Sequence, residues 1–173
     1  AKAQEVRVPQ KLPWDQADLA IKHPRSQWVA WGVTAAHGSL PSDNLPASMI
    51  LPMGRHGPAF LAYPNFQAFL GWNSAYVYST TVAYFATRLN GAPVVNHDGA
   101  TLVQPLSTPQ VMDLQRLLIK HGYEIGEVDG KVGSGTRGAV KKAQMKVGLP
   151  ADSYPSIELI ERLRGGTTSG SIR

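Results

Sequence analysis

Cysteine is absent from the 173-residue chain. Its absence excludes disulfides, thiolate metal sites and a cysteine nucleophile. Long apolar runs are absent as well, and none approaches the ~20 residues that a membrane-spanning helix needs. The first residues, "AKAQEVRVPQ", lack the apolar core of a signal peptide, so we expect any such leader to have been removed or never to have belonged here. Apolar residues make up 43% of the chain and charged residues 17%, which is typical of a globular protein.

Carboxylates are missing from a long central part of the chain, because no Asp or Glu occurs between Asp43 and Asp98. The same part contains "GPAFLAYPNFQAFLGWNSAYVYSTTVAYF", residues 57–85, in which nine aromatic rings alternate with Asn, Gln and Ser. Aromatic faces can stack on sugars, and neutral amides and hydroxyls can hydrogen bond to sugar oxygens. The pattern favours contact with a neutral polymer such as a glycan, but it supplies no acid for sugar chemistry.

The net charge of +5 is spread along the chain. Residues 1–92 hold seven basic and four acidic side chains, and residues 104–165 hold nine and seven. Lys141 and Lys142 are the only adjacent basic pair. Since a DNA-binding protein usually concentrates positive charge on one helix or arm, we predict no nucleic-acid partner. A mild attraction to an anionic wall polymer or a membrane surface fits the charge equally well.

Metal and cofactor motifs are also missing from the sequence. The five histidines lie far apart, and none lies in an H-x-x-x-H spacing or beside a carboxylate in a ligand pattern, so we predict no zinc site. The segment "GSGT" lacks the lysine and the spacing of a phosphate-binding loop. We therefore predict neither a metal nor a cofactor.

The predicted fold class is α+β, mainly helical, with a small strand-containing segment and a C-terminal three-helix domain. Composition divides the chain into four stretches. They are a first unit at 1–92, a Gly/Pro-rich linker at 93–105, the three-helix domain at 106–165 and a flexible tail at 166–173.

Local patterns in the first unit predict strands at "QEVRVP", "SMILPM" and "PAFLAY". The segment "QADLAIKHPRSQWVAWGV" predicts a short helix that stops near Pro24 and restarts at Ser26. Residues 64–90 have a helical pattern that Gly71 weakens, and Asn73 or Ser74 is a suitable cap for a second helix. Such a break exposes the side chains between Trp72 and Tyr76.

The C-terminal stretch predicts three helices and a weak internal repeat. In "TPQVMDLQRLLIKHGY", Thr108 suits the N-cap and Pro109 the first helical position. The segment "VDGKVGSGTRGAV" can be laid over "ADSYPSIELIERL", which aligns Asp129 with Asp152. Each Asp precedes a turn and then a helix, so both are interpreted as turn residues in a small symmetric unit.

The same stretch resembles a peptidoglycan-binding domain of the three-helix type. The resemblance covers residues 111–163 and rests on "GY", "VDGKVGSGT", "AVKKAQ" and "GLPAD" in this order. Met145 departs from the family, which often has an aromatic residue near this position. Domains of this kind are thought to hold wall peptides or glycan in a shallow groove.

The first unit resembles the C-terminal part of the catalytic unit of the lytic murein transglycosylase B family. The matching segments, in order, are "EVRVP", "WVAWGV", "PASMILPMGRHGPAFLAYPNF" and "FLGWNSAYVYSTTVAYFATRL". Members of that family cut the MurNAc–GlcNAc bond with a single glutamate, acting first as acid and then as base. Attack by the MurNAc 6-hydroxyl gives a 1,6-anhydro sugar.

That glutamate lies upstream of "EVRVP" in the family. Glu5 is the only glutamate before residue 124 here, and its strand-like setting does not match the helical setting of the acid. The resemblance therefore implies that no catalytic residue is in this chain. It also implies that the N-terminal part of the same enzyme is a partner.

Asn73 and Tyr78 match family positions that line the glycan groove near the acid. An Asn amide can bind an N-acetyl carbonyl, and a Tyr hydroxyl can orient a carboxylate or a sugar oxygen. The structural alternative is that Asn73 only caps a helix and that Tyr78 is a half-buried ring.

Four further residues are candidates for substrate binding. Trp72 and Tyr76 can stack on sugar faces, although packing in the core explains each equally well. Tyr63 and Asn65 are weaker candidates, because "YPN" is also an ordinary turn followed by a helix start.

Two functions remain open from the sequence. In the first, the chain is part of a wall-cleaving transglycosylase whose partners are peptidoglycan glycan strands and stem peptides. In the second, it is a non-catalytic peptidoglycan-binding or targeting module. Either implies a periplasmic location, with a missing N-terminal lipid anchor as one route to the outer membrane.

Overall fold

The computed structural model describes residues 3–66 and 104–165. The chain divides into two compact units, Ala1–Val103 and Gln104–Arg173. In the described residues the first unit is built on a sheet and the second on helices, which confirms the predicted α+β class. Helices do not dominate the described part of the first unit, so the expectation of a mainly helical protein was too broad.

Within residues 3–66, the sheet of the first unit has five short strands, all paired in antiparallel fashion. Their order across the sheet is β2-β4-β5-β1-β3. The bounds are β1 Ala3–Arg7, β2 His23–Pro24, β3 Thr34–Ala35, β4 Pro46–Ile50 and β5 Ala59–Ala62. Strands β1, β4 and β5 confirm the three predicted strand segments.

The central strand β5 is buried on both faces, since all four of its residues are buried. Its Phe60 pairs with Glu5 of β1 on one side and with Ile50 of β4 on the other. Helix α1, Arg25–Ala30, covers the core with Trp28, which is fully buried. The Trp28 indole N–H donates to the Ala47 carbonyl at 3.0 Å, so its one polar group is satisfied inside the core.

The helix predicted before Pro24 does not form. A single 3₁₀ turn occupies Trp14–Gln16, and the regular helix begins only at Arg25. The Asp18 carboxylate accepts the Ala20 backbone N–H at 2.9 Å, a local bond that competes with helix formation. Proline also disfavours helical geometry in the residue before it, and His23 lies in strand β2.

In residues 104–165 the second unit contains three helices, as predicted: α2 Thr108–Lys120, α3 Ser134–Lys146 and α4 Ile157–Leu163. Their core is apolar and includes Leu114, Leu118, Val140 and Leu159, each fully buried. Ser107, not Thr108, is the N-cap of α2, and its backbone N–H donates to the Gln110 side chain at 2.8 Å. None of the helices described in either unit is long and apolar enough to cross a membrane.

Candidate functional site

Four of the predicted substrate-binding residues, Trp72, Asn73, Tyr76 and Tyr78, lie outside the described residues. Tyr63 and Asn65 are described. Tyr63 directly follows β5, and Asn65 is exposed in the helical turn formed by residues 64–66. The structure therefore describes the entry to the aromatic segment rather than its centre.

Tyr63 is held on both its polar and its aromatic sides. It is only 4% exposed, and its hydroxyl donates to the Gln4 side chain of β1 at 2.8 Å. The Arg25 guanidinium lies 5.5 Å from the ring centroid, within the range of a cation–π contact. These contacts fix the point at which the chain leaves β5. A direct contact between Tyr63 and a sugar stays a prediction.

Arg25 is itself held by Asp43 in a two-point ion pair. The Arg25 Nε–H donates to Asp43 Oδ1 at 2.7 Å, and Nη2 donates to Oδ2. The Leu45 backbone N–H donates to the same carboxylate at 3.1 Å. Hydrogen bonding to Arg25 holds the pKa of Asp43 below its usual value, and bonding to Asp43 raises the pKa of Arg25. Asp43 thus ties the loop before β4 to the helix that supports Tyr63.

A small depression lies beside this group of residues. It is lined by Leu19, Lys22, Pro46, Ser48, Ala62, Tyr63 and Pro64. Its interior volume is about 10 Å³, which suits about one water molecule and not a sugar ring. This depression is consequently not a substrate cleft.

Glu5 has the strand setting that the sequence indicated. It lies in β1 opposite Phe60, with its side chain 13% exposed. Its Oε2 lies 3.8 Å from His37 Nε2. The position is a sheet position, which differs from the helical setting of the family's acid.

In the second unit, a turn before α3 is closed by a glutamine of α2. Gln115 is 1% exposed, and its Nε2 donates to Asp129 Oδ1 at 3.0 Å and to the Lys131 carbonyl at 3.1 Å. Gln115 Oε1 accepts the Gly130 backbone N–H at 2.9 Å. The Lys131 N–H donates to Asp129 Oδ1 at 2.9 Å, which completes the turn.

A second turn, before α4, repeats this arrangement. Gln144 of α3 is 3% exposed, and its Nε2 donates to Asp152 Oδ1 at 2.8 Å and to the Tyr154 carbonyl at 3.1 Å. Gln144 Oε1 accepts the Ser153 N–H at 3.0 Å, and the Tyr154 N–H donates to Asp152 at 3.0 Å. The two turns confirm the internal repeat and the turn roles of Asp129 and Asp152.

The residue after each aspartate has a positive φ, but the two copies differ. Gly130 has φ +72°, and a Cβ placed there would lie 2.5 Å from the Thr108 side chain. Ser153 adopts φ 62° in the second copy, where a side chain is accommodated. The positive φ favours glycine in both turns, but only in the first turn does lack of space also exclude a side chain.

Sequence patterns alone identified the aspartates but missed the two glutamines. Each glutamine lies on the buried face of an amphipathic helix, where an amide is out of place unless it has a partner. An amide on the buried face of a helix was therefore the sequence signal that could have identified the two glutamines. Within residues 3–66 and 104–165, no three His, Cys, Asp or Glu side chains cluster as a metal site requires.

Two family models match the chain, one in each of its two units. The model of the transglycosylase SLT domain matches residues 1–87, and that of the peptidoglycan-binding domain matches residues 107–163. The chain belongs to the transglycosylase SLT-domain family and carries a peptidoglycan-binding domain after it. No curated protein matches the chain.

The solved structures that are similar to the chain include two of SltB3 from Pseudomonas aeruginosa. One is in complex with NAG-anhNAM-pentapeptide and the other with NAG-NAM-pentapeptide. Each is 39% identical to this chain, with a TM-score of 0.76 over 94% of it. The chain spans 44% of the length of these neighbours.

Proposed function

We propose that the chain is the C-terminal part of a lytic transglycosylase that cleaves the MurNAc–GlcNAc bond of peptidoglycan and forms 1,6-anhydroMurNAc. The observation that carries the proposal is the match to the transglycosylase domain over residues 1–87, followed by the peptidoglycan-binding domain. The SltB3 complexes support it, because one contains an anhydro sugar and both contain a pentapeptide.

The reaction needs one carboxyl group. An ordinary glycosidase uses two, since the second activates water or attacks the sugar itself. Here the MurNAc 6-hydroxyl attacks its own C1. A glutamic acid protonates the leaving oxygen, and its carboxylate takes up the hydroxyl proton. We propose that this glutamate belongs to a segment preceding the chain, because residues 44–97 contain no carboxylate and Glu5 lies in a strand.

The aromatic segment is proposed to form one wall of the glycan groove. Asn73 would bind an N-acetyl group, and Tyr78 would orient the glutamate or a sugar oxygen. Trp72 and Tyr76 would stack on sugar faces. The contacts of Tyr63 with Gln4 and Arg25 support the proposal, because they fix the point at which the chain leaves β5.

Boundaries and location complete the proposal. We propose a catalytic part at 1–92, a linker at 93–105, a peptidoglycan-binding domain at 106–165 and a tail at 166–173. Domains that act on peptidoglycan imply a periplasmic or wall-associated location. The periplasm, with an N-terminal lipid anchor in the outer membrane as a variant of it, is the finer proposal.

The purified chain should release no anhydro-muropeptides from peptidoglycan sacculi, because the proposed acid is not in it. Mass spectrometry of the soluble fraction measures the product, and an active transglycosylase serves as the positive control. Anhydro products that disappear with Glu5→Gln would overturn the proposed location of the acid. If the chain is inactive but binds sacculi, the result also fits a targeting module. The chain should then be joined to the missing N-terminal segment, and the anhydro products should be measured again.

Tyr78→Phe in the complete enzyme should lower turnover about ten-fold or more, the scale of one lost oriented hydrogen bond in a closed site. The melting temperature should change little. Turnover assays and a thermal melt on the same preparation test both expectations. Unchanged turnover, or a large loss of stability, would assign Tyr78 to packing.

A further inference from the structure

Helix α3 carries an exposed face whose composition the fold does not explain. Its buried side consists of Thr136, Ala139, Val140, Ala143 and Gln144. The opposite side exposes Gly138, Lys142, Met145 and Lys146, which we call the α3 face. Met145 is 58% exposed, a large fraction for an apolar side chain.

Charge on this helix is of one sign. The sequence "SGTRGAVKKAQMK" has four basic residues and no acidic one. Lys142 and Lys146 lie four positions apart, where like charges destabilise a helix. Lys146 in the last turn interacts favourably with the helix dipole, but Lys142 in the middle gains nothing comparable. The like charge at Lys142 therefore costs stability, and the helix dipole offers it no comparable compensation.

Gly138 points in the same direction. Glycine in a helix interior is less stable than alanine. A Cβ at Gly138 would meet nothing within 4 Å, and its φ is not in the left-handed region. By contrast, a Cβ at Gly135 would lie 3.2 Å from the Ile125 carbonyl. Neither conformation nor packing within the chain requires glycine at 138. A side chain missing from an exposed helix lets another molecule approach the backbone closely.

We propose that the α3 face binds the peptide part of peptidoglycan, with Lys142 and Lys146 pairing with stem-peptide carboxylates and Gly138 receiving the peptide backbone. Charge complementarity selects this occupant, because the sugars are uncharged whereas the stem peptides carry free carboxylates. Met145 would cover an apolar side chain of the peptide. The inference rests on the proposed peptidoglycan binding and names the chemical part that is recognised.

The test is sedimentation of the full chain with sacculi over a range of salt concentrations. The double variant Lys142→Gln/Lys146→Gln should bind about five-fold more weakly or worse, as expected for the loss of two exposed ion pairs. Its binding should also fall less steeply with salt. Lys120→Gln, which removes an exposed lysine from α2, is the matched control and should bind as the parent does. Lys142→Arg/Lys146→Arg keeps both positive charges and should bind as the parent does.

Gly138 gives an independent arm. Gly138→Ala should raise the melting temperature and Gly138→Gln should leave the fold intact, yet both should weaken binding to sacculi. The parent chain should bind more weakly to sacculi whose carboxylates have been amidated. If the parent binds sacculi and these variants bind equally well, the inference about the α3 face is wrong, while the proposed peptidoglycan binding stands. Failure of the parent to bind would overturn the proposed peptidoglycan binding with it. If the double variant binds sacculi as the parent does but binds anionic phospholipid vesicles more weakly, the α3 face binds a membrane surface instead.

Discussion

Single buried amides determine how the second unit closes. Gln144 satisfies a carboxylate, a backbone N–H and a backbone carbonyl, all next to α4. Removing a buried partner leaves these groups without hydrogen bonds, and each such group costs more than an average hydrogen bond contributes. The glutamine is therefore worth more than its size suggests.

Gln144→Ala should lower the free energy of unfolding by about 2 to 4 kcal/mol, since it leaves several buried polar groups unpaired. Urea unfolding followed by circular dichroism measures the change. Gln104→Ala, at an exposed position, should stay within about 0.5 kcal/mol of the parent. Equal stabilities for the two variants would show that water replaces the amide without cost.

Asp129 makes one turn sensitive to acid. Hydrogen bonds from Gln115 and from the Lys131 N–H lower the pKa of its carboxyl in the folded state. A carboxyl with a depressed folded pKa stabilises the fold fully above its unfolded pKa of about 3.9. That stabilisation is lost as the pH falls through the folded pKa.

Asp129→Asn should therefore reduce the loss of stability between about pH 6 and about pH 3, because the amide keeps an acceptor oxygen but does not titrate. Urea midpoints at the two pH values provide the measurement. Glu127→Gln removes an exposed carboxylate from the same loop and is the control. If the control and Asp129→Asn respond alike, the turn makes no specific contribution.

At the scale of elements, the sequence predicted what local patterns encode. Strands β1, β4 and β5 and the three C-terminal helices follow from alternation and helical periodicity. The helix expected before Pro24 was wrong, because the Asp18 side chain offers the backbone a competing bond. Buried side-chain pairs such as Tyr63 with Gln4 join positions 59 residues apart, and no local pattern predicts them.

The candidate site was less predictable from local patterns than the elements. Tyr63 was selected as a weak sugar contact, and its burial under Arg25 could not be derived from "YPN". The Arg25–Asp43 pair joins positions 18 apart in the sequence and has no motif. The proposed roles of Asn73 and Tyr78 stay predictions, because these residues lie outside the described ranges.

For the whole molecule, the division at Val103 and Gln104 makes independent folding of the C-terminal unit testable. Residues 104–166 alone should give a helical circular dichroism spectrum and a cooperative melt. The reason is that every described residue of the second core comes from this range. Units of about 60 residues are marginally stable, so the melting temperature should be modest. An unfolded fragment beside a folded full chain would show that the first unit is needed.

The paired turns of the second unit also bear on the order in which the chain folds. Gln144 reaches Asp152 across 8 residues, and Gln115 reaches Asp129 across 14. The first unit must bring Gln4 to Tyr63 across 59. Closing a short loop costs less chain entropy than closing a long one, and proteins rich in local contacts fold faster. The second unit accordingly has the shorter conformational search of the two.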